Sequence, residues 1–209
     1  ADVATDSAGN GNTLATTLTT NYDTALPTLT LSGASAQSNA AFTATATFNE
    51  AVTGFIVTDV VASNASLSNF SATSATVYTV LVTPTSDGAV SLNVAADVAT
   101  DSAGNGNTLA TTLTTTYDAT QPTLTLSGAA AQSNAAFTAT ATFNEAVTGF
   151  IVTDMVASNA TLTNFSATSA TVYTVLVTPT SDGAVSLNVA ADVATDSAGN
   201  GNTLATTLT

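Results

Sequence analysis

The chain has 209 residues, fourteen of them Asp or Glu and none of them Lys, Arg, His or Cys, which gives a formal net charge of −14 at pH 7. Because no side-chain cation can neutralise phosphate, we expect no nucleic-acid partner. We also expect no enzyme, since the commonest catalytic bases and nucleophiles are missing, and no membrane insertion, since no stretch has roughly 18 consecutive apolar residues.

The sequence repeats itself with a period of 95 residues. The run Ala-Asp-Val-Ala-Thr-Asp-Ser-Ala-Gly-Asn-Gly-Asn-Thr begins at Ala1, Ala96 and Ala191, and residues 1–95 differ from residues 96–190 at only eight positions. Near-identical tandem copies are typical of spacers, stalks and fibres, which gain length with each copy. Residues 1–22 are predicted to be the final loop and last strand of a preceding repeat, followed by repeats over residues 23–117 and 118–209.

Alternation of apolar and polar residues predicts about seven short strands in each repeat. The clearest is residues 41–48, where Phe42, Ala44, Ala46 and Phe48 share one face and threonines occupy the other. In the first repeat the strands are expected near residues 27–31, 41–48, 60–64, 67–72, 76–83, 90–98 and 109–117. Turn-forming sequences separate them, including Ser-Asp-Gly at Asp87 and Asp182, so we predict an all-β fold of two antiparallel β-sandwiches.

Passage up and down such a sandwich brings three acidic segments of each repeat to the same end. Clustered carboxylates without protein counter-ions favour a bound cation, and hard oxygen ligands favour Ca²⁺. The alternative is that these residues only shape turns. The candidate ligands are Asp23, Glu50, Asp59, Asp101 and Asn105 in the first repeat, Asp118, Glu145, Asp154, Asp196 and Asn200 in the second, and Asp6 and Asn10 in the first segment.

The order of the motifs resembles a known family. Asp-x-x-x-Pro from Asp23 is followed by Phe-x-Glu-x-Val-x-Gly-Phe over residues 48–55, Thr-Pro-x-x-Asp-Gly over residues 83–88, and Ala-Thr-Asp-x-Ala-Gly-Asn over residues 99–105. This order is similar to that of the bacterial immunoglobulin-like repeats of giant secreted adhesins of the RTX type. The resemblance implies tandem immunoglobulin-like (Ig-like) sandwiches outside the cell, with calcium rigidifying the domain ends.

These observations predict an extracellular structural repeat at the cell surface, either a calcium-rigidified adhesin stalk or a subunit of a surface filament. The expected partners are neighbouring identical repeats, including head-to-tail pairing of strands between chains, because an unpaired strand in residues 1–22 would be an aggregation edge. The alternative is a module that binds ice or glycan through outward threonine rows, namely Thr43, Thr45 and Thr47 with their copies Thr138, Thr140 and Thr142.

Overall fold

Threonines that alternate with Ala, Val, Leu and Phe build the strands of both repeats, because one face of each strand is buried and the other meets solvent. The computed structural model describes residues 4–209. The strands of the first repeat are β1 (Leu29–Ser32), β2 (Gln37–Ser38), β3 (Phe42–Phe48), β4 (Val60–Ser63), β5 (Ala65–Ala72), β6 (Val77–Pro84), β7 (Gly88–Val94) and β8 (Leu113–Tyr117). Those of the second are β9 (Leu124–Ser127), β10 (Phe137–Phe143), β11 (Met155–Ser158), β12 (Ala160–Ala167), β13 (Val172–Pro179) and β14 (Ser186–Val189).

Two four-stranded sheets form the first repeat, with strand orders β1-β3-β6-β5 and β2-β8-β7-β4. All pairs are antiparallel except β2 and β8, where Gln37 lies opposite Thr116 in parallel register. The second repeat has the equivalent sheet β12-β13-β10-β9 and a two-stranded sheet of β11 and β14. The predicted all-β sandwich fold is confirmed, and β2 is a strand that the alternation pattern did not predict.

An aromatic cluster fills the end of the core near the loop that follows β3. The rings of Phe55 and Tyr78 meet edge to face with centroids 5.0 Å apart, and Phe48 lies 5.2 Å from Phe55. The buried hydroxyl of Tyr78 donates to the carbonyl of Val52 at 3.2 Å, which fixes the loop to the core. The same contacts recur in the second repeat around Phe150 and Tyr173, so the two cores are built alike.

The structure shortens two predicted strands at the loop between β7 and β8. The strand predicted over residues 90–98 ends at Val94, because Asp97 adopts a left-handed backbone with φ of 62°. The strand predicted from residue 109 begins at Leu113. The residues between pack as a compact loop whose Ala110 is buried in the core and donates its N–H to Val94.

The strand predicted in the first segment is not formed within the described residues 4–22. There the chain has one bridge, between Thr5 and Gly11, and the side chains of Leu14, Leu18 and Tyr22 are 91%, 97% and 91% exposed. Residues 1–3 of this segment lie outside the described part. Over residues 4–209, no helix has the length and apolar character needed to cross a membrane.

Candidate metal centre

Three carboxylates meet at one end of the first sandwich. Asp23 precedes β1, Glu50 follows β3, and Asp101 lies in the loop between β7 and β8. Their carboxylate oxygens lie within 4.8 Å of one another, with Asp101 buried, Glu50 half-buried and Asp23 exposed. The up-and-down path of the chain therefore brings together three acids that are separated by up to 78 positions in the sequence.

The loop that carries Asp101 is held by hydrogen bonds to its carboxylate. Oδ1 accepts the N–H groups of Ala103 and Asn105 at 2.8 and 2.9 Å, and Oδ2 accepts Asn105 Nδ2 at 2.8 Å. The Asn105 side chain and these N–H groups stabilise the charged form, so the pKa of Asp101 lies below its ordinary value of 3.8. Gly104 supplies the turn with a φ of +92°.

A buried asparagine that sequence reasoning missed anchors this loop. Asn107 is 1% exposed, and its Oδ1 accepts the N–H groups of Val98 and Ala99 at 3.0 and 2.8 Å. Its Nδ2 donates to the carbonyls of Ala95 and Thr108, both at 2.9 Å. Asn202 makes the same four bonds in the second repeat. The signal in the sequence is the last Asn of Gly-Asn-Gly-Asn, which composition does not distinguish from a solvent-exposed turn residue.

The second cluster repeats the first with deeper burial. The carboxylate oxygens of Asp118, Glu145 and Asp196 lie within 4.8 Å of one another. Burial raises the pKa of Glu145, and the negative charges of Asp196 and Asp118 raise it further. Burial also opposes ionisation of Asp196, but the hydrogen bonds from the Asn200 side chain and from the loop N–H groups leave its pKa below the ordinary value.

Both candidate asparagines direct their amide nitrogen toward the cluster. Asn105 Nδ2 donates to Asp101 and to the carbonyl of Asp23 at 3.2 Å. Asn200 Nδ2 donates to Asp196 and to the carbonyl of Asp118, both at 2.8 Å. In this arrangement they orient the carboxylates, and the amide oxygens that would serve as ligands point elsewhere.

Asp59 and Asp154 lie outside the two clusters. Each ends a short 3₁₀ helix, Val57–Asp59 or Val152–Asp154, and its Oδ2 accepts the N–H of Ile56 or Ile151 at 2.8 Å. These carboxylates close a turn locally, which gives them a structural role that the acidic pattern did not distinguish from metal binding.

Asp6 and Asn10 form the same hydrogen-bonded loop as Asp101 and Asn105, although residues 4–22 are not packed into a β-sandwich. Asp6 Oδ1 accepts the N–H groups of Ala8 and Asn10, and Asn10 Nδ2 donates to Asp6 Oδ2, all at 2.9 Å. Within residues 4–209, neither belongs to a group of three carboxylates. The loop conformation is therefore determined locally, whereas the cluster requires the tertiary fold.

The sequence profile of the bacterial Ig-like domain family matches residues 23–117 and again residues 118–209. The chain belongs to this family. No curated protein matches the chain in sequence.

Solved structures give similarities to these Ig-like repeats at low sequence identity. Invasin, a bacterial integrin-binding protein, has 12% identity and a TM-score of 0.39 over 77% of this chain and 36% of invasin. The Escherichia coli adhesin FdeC has 14% identity and a TM-score of 0.41 over 92% of this chain and 65% of FdeC. InvD of Yersinia pseudotuberculosis has 19% identity and a TM-score of 0.33 over 88% of this chain and 57% of InvD. The chain thus spans less than two thirds of the length of each.

The donor chemistry of each Ig-like repeat fits Ca²⁺. A cluster offers carboxylate oxygens from three different segments, and Ca²⁺ takes six to eight oxygen ligands with flexible geometry. The chain has no Lys, Arg or His to neutralise these charges. Burial, and then the charges of Asp196 and Asp118, raise the pKa of Glu145, and a bound cation would favour its charged form.

The threonine rows lie on the solvent face of the β1-β3-β6-β5 sheet. Thr43 and Thr47 are exposed and Thr45 is half-buried, opposite Leu81, Val77 and Thr79 of β6, respectively. Thr138, Thr140 and Thr142 have the same placement on β10. The rows are therefore part of the outward face of the sheet, and recognition of ice or glycan through them remains a sequence-based prediction.

Acid is expected to destabilise the calcium-free chain through Asp101. Because its native pKa lies below 3.8, its stabilising effect is complete above that value and is lost as the pH falls through the native pKa. Glu145 acts in the opposite direction, because burial and the charges of Asp196 and Asp118 raise its pKa, so that protonation removes an unfavourable charge. Melting curves in chelator between about pH 2.5 and 6 should show Asp101→Asn less stable than wild type at the upper end, with the difference vanishing at the lower end. A difference that does not change with pH would contradict this.

Proposed function

We propose that this chain is an extracellular structural repeat in which calcium at the two carboxylate clusters stiffens a stalk or a surface filament. The observation that carries the proposal is the recurrence of the same cluster in two near-identical Ig-like repeats of a chain that has no side-chain cation. Membership of the bacterial Ig-like family supports placement at the cell surface. A non-enzymatic role is part of the proposal, because the sequence has no His, Cys, Lys or Arg, which are common catalytic bases, nucleophiles and anion-stabilising groups.

The second cluster lies where a cation would affect the joint between the repeats. Asp118 is a member of that cluster, and its N–H donates to the carbonyl of Ser38 in the first repeat at 3.0 Å. A cation bound by Asp118, Glu145 and Asp196 would therefore tie the start of the second repeat to its own loop beside the preceding domain. Linked domains otherwise move relative to each other unless their interface is large.

Calcium titration combined with small-angle X-ray scattering tests the proposal. We expect calorimetry to count two sites in the full chain, and scattering to fit one extended shape in calcium but to require an ensemble in chelator. Replacing both Glu50 and Glu145 with Gln should abolish the effect. Replacing both Asp59 and Asp154 with Asn should preserve it, because those carboxylates lie outside the clusters. Identical scattering with and without bound calcium would refute the stiffening role.

We also propose that the first segment pairs with another copy of the chain. Leu14 and Leu18 are 91% and 97% exposed, whereas Leu113, the equivalent of Leu18, is half-buried in β8. Leu109, the equivalent of Leu14, is 64% exposed. An exposed apolar segment whose sequence copy forms a strand favours strand addition to another chain.

Sedimentation of the full chain over a range of concentrations tests this pairing. We expect concentration-dependent association that Leu14→Asp combined with Leu18→Asp abolishes. The same exchange at the exposed Val61 and Val156 is the control and should leave association unchanged. A wild-type chain that stays monomeric at all concentrations would refute the pairing.

A further inference from the structure

The turn between β6 and β7 of the first repeat is hydrogen-bonded to the segment that leads into the second repeat. Asp87 lies in this turn, and its Oδ1 accepts the N–H of Ala119 at 2.8 Å while its Oδ2 accepts Thr120 Oγ1 at 2.6 Å. Both partners belong to the linker that opens the second repeat. The hydrogen bonds from Thr120 and Ala119 lower the pKa of Asp87, so it is an ionised acceptor at neutral pH.

The loop of the second repeat completes the contact from the other side. Asn39 Nδ2, in the first repeat, donates to Asn200 Oδ1 at 3.1 Å. Asn200 in turn donates through Nδ2 to the carbonyl of Asp118 at 2.8 Å. The first repeat therefore bonds the linker through Asp87 and bonds the loop of the second repeat through Asn39. That loop in turn bonds the linker through Asn200.

We propose that Asp87 is an interdomain clamp, which together with Asn39 sets the angle between the two repeats. The clamp involves only protein groups, so it acts without a cation and goes beyond the proposed calcium function. Three consecutive linker residues, Asp118, Ala119 and Thr120, are each bonded to the first repeat. Because the linker is short, these few bonds suffice to restrict rotation of the second repeat relative to the first.

The chain supplies an internal comparison for this role. Asp182 occupies the same Ser-Asp-Gly turn in the second repeat. Position 25, the equivalent of Thr120, is Ala and has no hydroxyl to donate. Asp23 is exposed, whereas its equivalent Asp118 is half-buried at the joint. The linker before the second repeat thus carries a hydroxyl donor that the equivalent position before the first repeat lacks.

Distance distributions between two spin labels measure the clamp directly. The chain has no Cys, so Ser68→Cys and Thr163→Cys give one label on equivalent exposed positions of β5 and β12. In chelator, we expect Asp87→Ala to broaden the distribution roughly twofold, as for a joint released to ordinary interdomain motion. Asp182→Ala changes the same turn without touching the joint and should leave the distribution unchanged.

Thr120→Ala provides a second variant that keeps the turn intact, since the first repeat already carries Ala at the equivalent position 25. It removes one of the two bonds to Asp87 and should broaden the distribution to an intermediate width. The clamp is overturned if Asp87→Ala and Thr120→Ala both give the wild-type width, or if Asp182→Ala broadens it as much as Asp87→Ala. Because the measurement is made in chelator, these outcomes are independent of whether calcium stiffens the chain.

Discussion

Millimolar calcium is expected to raise the unfolding temperature of the chain well above its value in chelator. At free calcium about 10 to 100 times the dissociation constant, each cluster would contribute roughly 1.4 to 2.7 kcal/mol by mass action. For a domain of about this size, 1 kcal/mol moves Tm by about 4 to 8 °C, so the expected rise is roughly 6 to 20 °C. Differential scanning calorimetry in calcium and in excess chelator measures it.

Single substitutions distinguish the acids that would bind calcium from the acids that do not. Glu145→Gln removes a ligand and also a repelling charge, so we expect it to stabilise the second repeat in chelator while reducing the calcium-dependent rise. Asp154→Asn is the control, because its carboxylate closes a turn outside the cluster and its loss should affect both conditions equally. An unchanged Tm in saturating calcium would mean that the clustered acids are turn residues and that the structural role rests on the repeat alone.

Asn107→Ala is expected to be the most destabilising single substitution proposed for this chain. It deletes four hydrogen bonds inside the protein and leaves four backbone groups near Val98 and Thr108 without partners. An unsatisfied buried group costs about 1 to 3 kcal/mol, and partial rescue by water gives an expected loss of about 3 to 5 kcal/mol. That is a large part of the free energy of unfolding of a small domain.

Near-identity of the repeats makes this loss easy to observe. Asn107→Ala should lower the unfolding temperature of the first repeat and leave the calorimetric transition of the second repeat, which keeps Asn202, in place. Asn12→Ala removes the equivalent side chain, which accepts the N–H of Ala4 at 3.0 Å in the exposed first segment, and should leave both transitions in place. A single unshifted transition for Asn107→Ala would show that the loop does not depend on this residue.

The alternation of residues determined most of the fold. Period-two sequences such as residues 42–48 have one face that must be buried, and two sheets facing each other satisfy that requirement. The loop Asp-Ser-Ala-Gly-Asn is also local, because Asp6 and Asn10 make its hydrogen bonds with no sandwich beneath them. The acids were identifiable as a group because a chain without Lys, Arg or His cannot pair them with cations.

Only the tertiary structure decided which acids share a site and which stabilise local turns instead. Asp59 and Asp101 are both Asp beside turns, yet one closes a short helix and the other joins a cluster, since the difference depends on where distant strands end. Asn107 and Asp87 are ordinary turn residues in the sequence. Their roles arise from backbone groups that fold against them across a buried loop and a domain joint, and hydrogen-bonding partners of that kind are set by three-dimensional packing.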